Sequence, residues 1–306
     1  MIPTRWLLVV PLVVALSTTT LARPQVFRGG TDTVQVSVTV TDASQHFVTG
    51  LARGDFQIFE DGVPQEITLF SGERQPVALS VLLDSSTSME PKLAIAQEAA
   101  IGFARRLGER DLAEVIDFDN HESILQGFTH DIPALEAAIR KTAAGGSTSL
   151  YDAMYIALRD LARAPAATTG DLRRQAIIVL SDGEDTASLK TYDDVLDEAK
   201  RAEALIYTIA LRAKEDGPRK GFSQGDFVMR TLAQETGGWV FFVEDLAQLG
   251  SVYQRVADEL SNQYVIGYVS KNRKHDGTWR RINVRVTRPE TAARTRSGYF
   301  APAADR

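Results

Sequence analysis

Between residues 33 and 70 apolar and polar positions alternate, the period of half-buried strands. TVQVSVTVT (33–41), DFQIF (55–59) and EITLF (66–70) predict three strands, with a turn signal at Asp42-Ala43-Ser44 and a hairpin turn at Asp61-Gly62. After Pro76 the pattern changes. VALSVLLD (77–84) and AIIVL (176–180) are continuously apolar, as in strands buried on both faces of a parallel sheet. Between such runs apolar residues recur at helical spacing, as at Leu93, Ala96, Ala100, Phe103 and Leu107 in 91–107, with Pro91 near the first turn. Further strands are predicted at 113–118, 205–211 and 239–243, and further helices at 132–139, after the 145–149 loop with Leu150, Met154, Leu158 and Leu161 on one face, and from Leu246 to Leu260. From Gln263 the alternation returns in QYVIGYV, RRINVRV and ARTRSGYF, again predicting three strands.

This order predicts an α/β fold: a doubly wound, mostly parallel Rossmann-like sheet inserted in a small β-sandwich built from both flanks. Pairing the flanks covers edges that three strands alone leave open. The expected divisions are 1–22 as a signal peptide, 23–74 and 262–306 as the two parts of the sandwich, and 75–261 as the α/β domain.

Export is read from the N-terminus. A basic start ends at Arg5, an apolar run follows over 6–16, and Thr20-Leu21-Ala22 offers small residues for cleavage. The run is short for a bilayer span, which needs about 20 residues, and Pro11 interrupts it; an uncleaved anchor is the competing reading. No later segment is apolar enough to cross a membrane, so the mature protein is expected to be soluble in the periplasm or outside the cell, with an envelope association open to it. There is no Cys, which excludes disulfides and thiolate metal sites. The formal net charge is -6, yet residues 262–306 carry ten Lys or Arg against three Asp or Glu. Such a tail docks on the acidic body or meets an anionic surface, and its alternation with apolar residues favours internal docking. No nucleic-acid partner is indicated.

The chemistry gathers where the first buried strand ends. Asp84 is followed by Ser85, Ser86, Thr87 and Ser88. Oxygen donors without His or Cys suit a hard cation such as Mg²⁺, and the carboxyl end of such a strand is where open α/β sheets bind ligands. The competing reading is a strand-to-helix turn whose hydroxyls cap the helix. Two other loops contribute: Gly145-Gly146-Ser147-Thr148-Ser149 opens a helix, and Ser181-Asp182-Gly183 ends another buried strand.

The ordered set DSSTSM (84–89), GGSTSLYDA (145–153) and VLSDGEDT (179–186) resembles the von Willebrand factor A domain. That family carries a metal-ion-dependent adhesion site, Asp-x-Ser-x-Ser followed by a Thr and an Asp from later loops. The resemblance implies that Ser86, Ser88 and Thr148 bind the cation through hydroxyls, with Thr148 found by counting back from LYDA. Asp84 and Asp182 would hold it through water and hydrogen bonds. The implied ion is Mg²⁺, with Mn²⁺ or Ca²⁺ as alternatives. Neutral direct ligands leave the ion's charge poorly compensated, so an Asp or Glu of a partner protein completes the coordination. Many members have Gly where this chain has Thr87, which is expected to tighten the loop without removing the site. Glu184 and Asp185 are expected in a solvated turn. The flanks, VSVTVTD to GERQPV and YVIGYVS to RSGYFA, resemble an exported bacterial group of VWFA-related proteins abundant in acidobacteria.

Three functions follow in order of preference: a divalent-cation-dependent protein-binding or adhesion module, a metal-free scaffold of the envelope, and a hydrolase. A serine nucleophile needs a His base, and His46, His121, His130 and His275 fall in no motif. A phosphate-cradling Gly-Lys-Ser/Thr loop does not occur.

Overall fold

A computed structural model of the chain describes residues 33–165, 173–182, 185–212 and 223–303. The expected signal segment, Gly183 and Glu184 lie outside the described residues.

The alternation of the N-terminal flank becomes strand β1 (Thr33–Asp42), whose Val34, Val36, Val38 and Val40 all face inward. β2 (Phe56–Glu60) and β3 (Val63–Gln65) form a hairpin across Asp61 and Gly62, both at positive φ (48° and 82°), the conformation a two-residue turn requires. The partner expected for DFQIF was EITLF. Instead, EITLF is β4 (Ile67–Ser71), which belongs to a different sheet. Pro64 explains part of this: a residue without an N–H fits the short edge strand β3.

The α/β block follows, as β5 (Val77–Asp84), α1 (Leu93–Ala104), β6 (Leu112–Phe118), β7 (Glu122–Thr129), α2 (Ile132–Ile139), α3 (Leu150–Leu161), β8 (Arg174–Ser181), α4 (Tyr192–Ala202), β9 (Leu205–Leu211), α5 (Gln224–Thr236), β10 (Val240–Val243) and α6 (Leu249–Ser261). The sheet order is β10-β9-β8-β5-β6-β7, parallel except for antiparallel β7 at one edge. β5 is buried along its whole length. One face of the sheet packs on α1, α2 and α6, the other on α3, α4 and α5. β7 carries no run that announces it, because an edge strand with half-exposed side chains needs no apolar stripe. The last helix begins as a 3-10 turn, Leu246–Gln248, capped by Asp245, before α6 proper.

The C-terminal flank supplies β11 (Tyr264–Val269), β12 (Trp279–Val286), β13 (Thr291–Arg294) and β14 (Gly298–Phe300). ARTRSGYF, expected as one strand, is two: β13 pairs with β1, and β14 pairs with β12 in the other sheet. The crossing residue Arg296 is buried and bonds the Gln35 carbonyl at 2.7 Å and Glu203 at 2.5 Å. The two sheets, β13-β1-β11-β4 and β14-β12-β2-β3, enclose one core containing Val36, Val38, Ile58, Ile266, Tyr268 and Val284. Each sheet mixes strands from both ends of the chain, so the flanks form a single discontinuous sandwich of four-stranded sheets, larger than the three-plus-three expected.

Several basic residues of the tail dock internally. Buried Arg280 pairs with buried Glu60, and Arg294 pairs with Glu259 at 2.6 Å. Glu259, near the end of α6, also accepts hydrogen bonds from Thr39 of β1 (3.0 Å) and Tyr207 of β9 (2.8 Å). One carboxylate thus ties the last helix, the central sheet and the sandwich together.

Candidate functional site

From β5 the chain runs outward through β6 and β7, and from β8 it runs the other way through β9 and β10. β5 and β8 are neighbours with their carboxyl ends side by side, at the point where strand order reverses. Asp84 ends β5, and Ser181 ends β8 just before Asp182.

Asp84 is fully buried. One carboxylate oxygen accepts the Ser86 N–H at 2.8 Å and the other the Ser181 hydroxyl at 2.5 Å. The first bond bends the chain into a turn two residues on, which sets Ser86 and Ser88 on one side. A 3-10 turn, Thr87–Met89, follows, with Met89 locked in the core. The Ser86 and Ser88 hydroxyls lie 3.0 Å apart, and Ser88 donates to Asp182 at 2.7 Å. Three oxygens from two loops therefore converge on one spot. Asp182 is 4% exposed in its side chain, and its other oxygen meets the ammonium of Lys92.

Thr148 joins through its backbone. Its carbonyl accepts the N–H groups of Thr186 (2.9 Å) and Ala187 (3.0 Å), and its own N–H donates to the Thr186 hydroxyl at 3.1 Å. The loop before it is fastened to the first loop: Gly145 N–H donates to the Ser85 carbonyl, and the Thr87 N–H and hydroxyl both reach the Gly146 carbonyl. Thr87 thus bridges two loops, consistent with the tighter loop expected in place of Gly. Gly146 has φ +68°, and a Cβ there would come within 2.4 Å of Asn120. Glycine suits that corner, where any other side chain would meet left-handed backbone strain and have to push Asn120 aside.

Asp84, Ser86, Ser88 and Asp182 are thus joined in one hydrogen-bonded chain, and Thr148 lies on the loop bound to both neighbours. Asp185 departs from its expected place in a solvated turn. It accepts the Tyr151 N–H at 3.2 Å and the Ser188 hydroxyl, and so anchors the start of α3. The residue that sequence reasoning missed is Lys92. Its place one residue before a helix suggests only a solvated side chain, and its partner lies 90 residues away.

Electrostatically the site is acidic, with Asp84 and Ser86 buried beneath it and Ser88 exposed at its rim. Burial raises the Asp84 pKa against the pull of the Ser181 and Ser86 hydrogen bonds, and the Asp182 charge adds to the rise. Nearby Asp117 is also raised by burial, offset by Ser85 and reinforced by Asp119 and Asp84. One of its carboxylate oxygens is buried without a partner. Buried carboxylates beside hydroxyl oxygens are stabilised by a positive charge, and the hydroxyl-rich donor set fits a hard cation. Among the described residues, no group of three or more His, Cys, Asp or Glu is arranged to hold a metal.

Comparison with known proteins agrees with this layout. The profile described as von Willebrand factor type A domain matches residues 79–255. A protein from Mycobacterium marinum described as a UPF0353 protein is 29% identical over 224 residues, 64% of each chain. Among solved structures, a von Willebrand factor type A protein from Catenulispora acidiphila superposes with a TM-score of 0.53 at 16% identity, over 81% of this chain and 62% of that one. The D319A mutant of the PilB minor pilin from Streptococcus sanguinis gives a TM-score of 0.50 at 12% identity, over 61% of this chain and 62% of that one. In all three the chain spans less than two thirds of the other protein's length, and the two structures share its fold. With a sheet that reverses at β5 and β8, three loops knit at that reversal, and a profile match across more than half its length, this chain belongs to the von Willebrand factor type A domain family.

Proposed function

We propose that the protein is an exported, divalent-cation-dependent binding module in which Asp84, Ser86, Ser88, Thr148 and Asp182 hold Mg²⁺, or Mn²⁺ or Ca²⁺ in its place. A carboxylate from a partner protein would complete the coordination. The observation that carries this reading is the convergence of the Ser86 and Ser88 hydroxyls with the Asp182 carboxylate at the reversal point of the sheet. The ion supplies a positive charge short of one ligand. The chain supplies hydroxyls oriented by a bonded turn and a buried carboxylate beneath them. The hydroxyls bond each other and Asp182 and have no His among these partners, which supports a binding role over a His-activated serine hydrolase. Among the described residues no helix is long and apolar enough to cross a membrane, which is compatible with export as a soluble protein.

Calorimetric titration of Mg²⁺ and Mn²⁺ into the mature chain tests this reading. Binding is expected at or below millimolar cation, and Ser86→Ala and Asp182→Ala are each expected to abolish it. Titrations unchanged by both substitutions would place the ion elsewhere. Capture of envelope proteins with and without EDTA then reads the partner: a cation-bridged partner is released by the chelator.

A metal-free scaffold is the second reading, and one observation favours it: Lys92 already sets a positive charge on Asp182. In that case no cation binds and EDTA changes no partner.

A further inference from the structure

Lys92 is the N-cap residue of α1, a position for which its chemistry is poorly suited. N-caps favour short oxygen-bearing side chains that accept a backbone N–H, and the positive end of the helix dipole repels a cation. Its backbone is fixed by the 3-10 turn that carries Ser88, through its N–H to the Met89 carbonyl at 2.8 Å. Its side chain, 15% exposed, folds back to bond the Asp182 oxygen that Ser88 leaves free. The ammonium is therefore carried on the same loop as the hydroxyl pair and lies against the carboxylate that the cation reading requires.

We infer that Lys92 is a tethered internal cation that competes with the divalent ion for Asp182 and holds the ion affinity of the site down. This rests on the cation reading above. Asp182 is 4% exposed and Lys92 15%, so water screens their interaction little, and ion entry displaces the ammonium or is opposed by it. A loaded site also keeps the extra positive charge nearby, which adds to its attraction for a partner carboxylate. An ion held loosely without the partner and firmly with it makes partner capture and ion retention mutually dependent.

The test uses the mature chain and its Lys92→Met and Lys92→Arg variants, titrated calorimetrically with Mn²⁺ and Mg²⁺, with thermal melts in EDTA and in Mn²⁺. Met keeps the length of the stem and removes the charge; Arg keeps the charge. Lys92→Met is expected to bind Mn²⁺ about tenfold more tightly than wild type, while Lys92→Arg stays as weak as wild type. In EDTA, Lys92→Met is expected to melt earlier, because Asp182 has lost its counter-charge, and to gain more than wild type on adding Mn²⁺. Equal or weaker Mn²⁺ binding by Lys92→Met, with wild type binding normally, would show that Lys92 merely positions Asp182 and would overturn the inference. Lys92→Arg binding as tightly as Lys92→Met would also overturn it. If no folded variant binds, wild type included, the cation reading itself fails and the inference falls with it.

Discussion

At the scale of single residues, the core holds a buried carboxylate against a serine hydroxyl much as the site does. Glu114 of β6 is buried against the Ser80 hydroxyl, and burial lifts its pKa from 4.5 to about 7, with the Asp160 charge adding to the rise. The folded chain therefore holds a proton between pH 4.5 and about 7 that the unfolded chain has released. Stability from this group rises as pH falls through that window and is lowest above pH 7. Glu114→Gln is expected to raise the melting temperature at pH 8 and to flatten its slope between pH 5 and 8. A steeper slope in the variant would contradict this. The oxygen-rich end of β5, Asp84 to Ser88, was legible from residue type and strand pattern, whereas the choice of Asp84, Ser86 and Ser88 within it came from the resemblance to the family. Lys92 was not legible, since an ion pair spanning 90 residues leaves no trace in local spacing. Asp185 was misread for a similar reason: its acceptor role depends on the start of α3, 34 residues earlier.

At the scale of elements, buried strands and amphipathic helices were read closely, and α2 and β9 have the bounds that their apolar pattern predicts. Two of the edge strands, β3 and β7, were not, although β4 and β10 at other sheet edges were: β3 is short and holds Pro64, and the apolar residues of β7 follow no clean alternation. The splitting of ARTRSGYF into β13 and β14 is also invisible to alternation, which reports a strand's faces but not which sheet receives it. That split leans on the end of α5. Gly237 closes α5 with φ +83°, and a Cβ there would fall 2.5 Å from the Arg296 nitrogen and 2.6 Å from the Thr295 carbonyl carbon. The chain between β13 and β14 thus passes directly over the helix end. Gly237→Ala is expected to cost about 2 kcal/mol or more in denaturant unfolding, combining backbone strain with displacement of that crossing. A loss below about 0.5 kcal/mol would mean that the crossing yields freely.

At the scale of the whole molecule, the division into flanks and insert was legible because the hydrophobic period changes near residues 76 and 262. The pairing of the flanks was an inference from exposed edges, and the strand registers bear it out: Val36 lies opposite Ile266, and Ile58 opposite Val284. Deleting 262–306 removes every strand that pairs with β1 and β4, so residues 33–42 and 67–71 are expected to lose their amide protection in hydrogen exchange. Protection retained there would mean that the N-terminal strands hold together unaided. The same register has a consequence for synthesis. A chain made from its N-terminus holds β1 ready some 220 residues before β11 exists to receive it. The α/β sheet, whose pairings all close within residues 77–243, can assemble during that interval. The sandwich cannot, and until the final strands emerge its early strands present open edges of the kind that aggregate or recruit a chaperone.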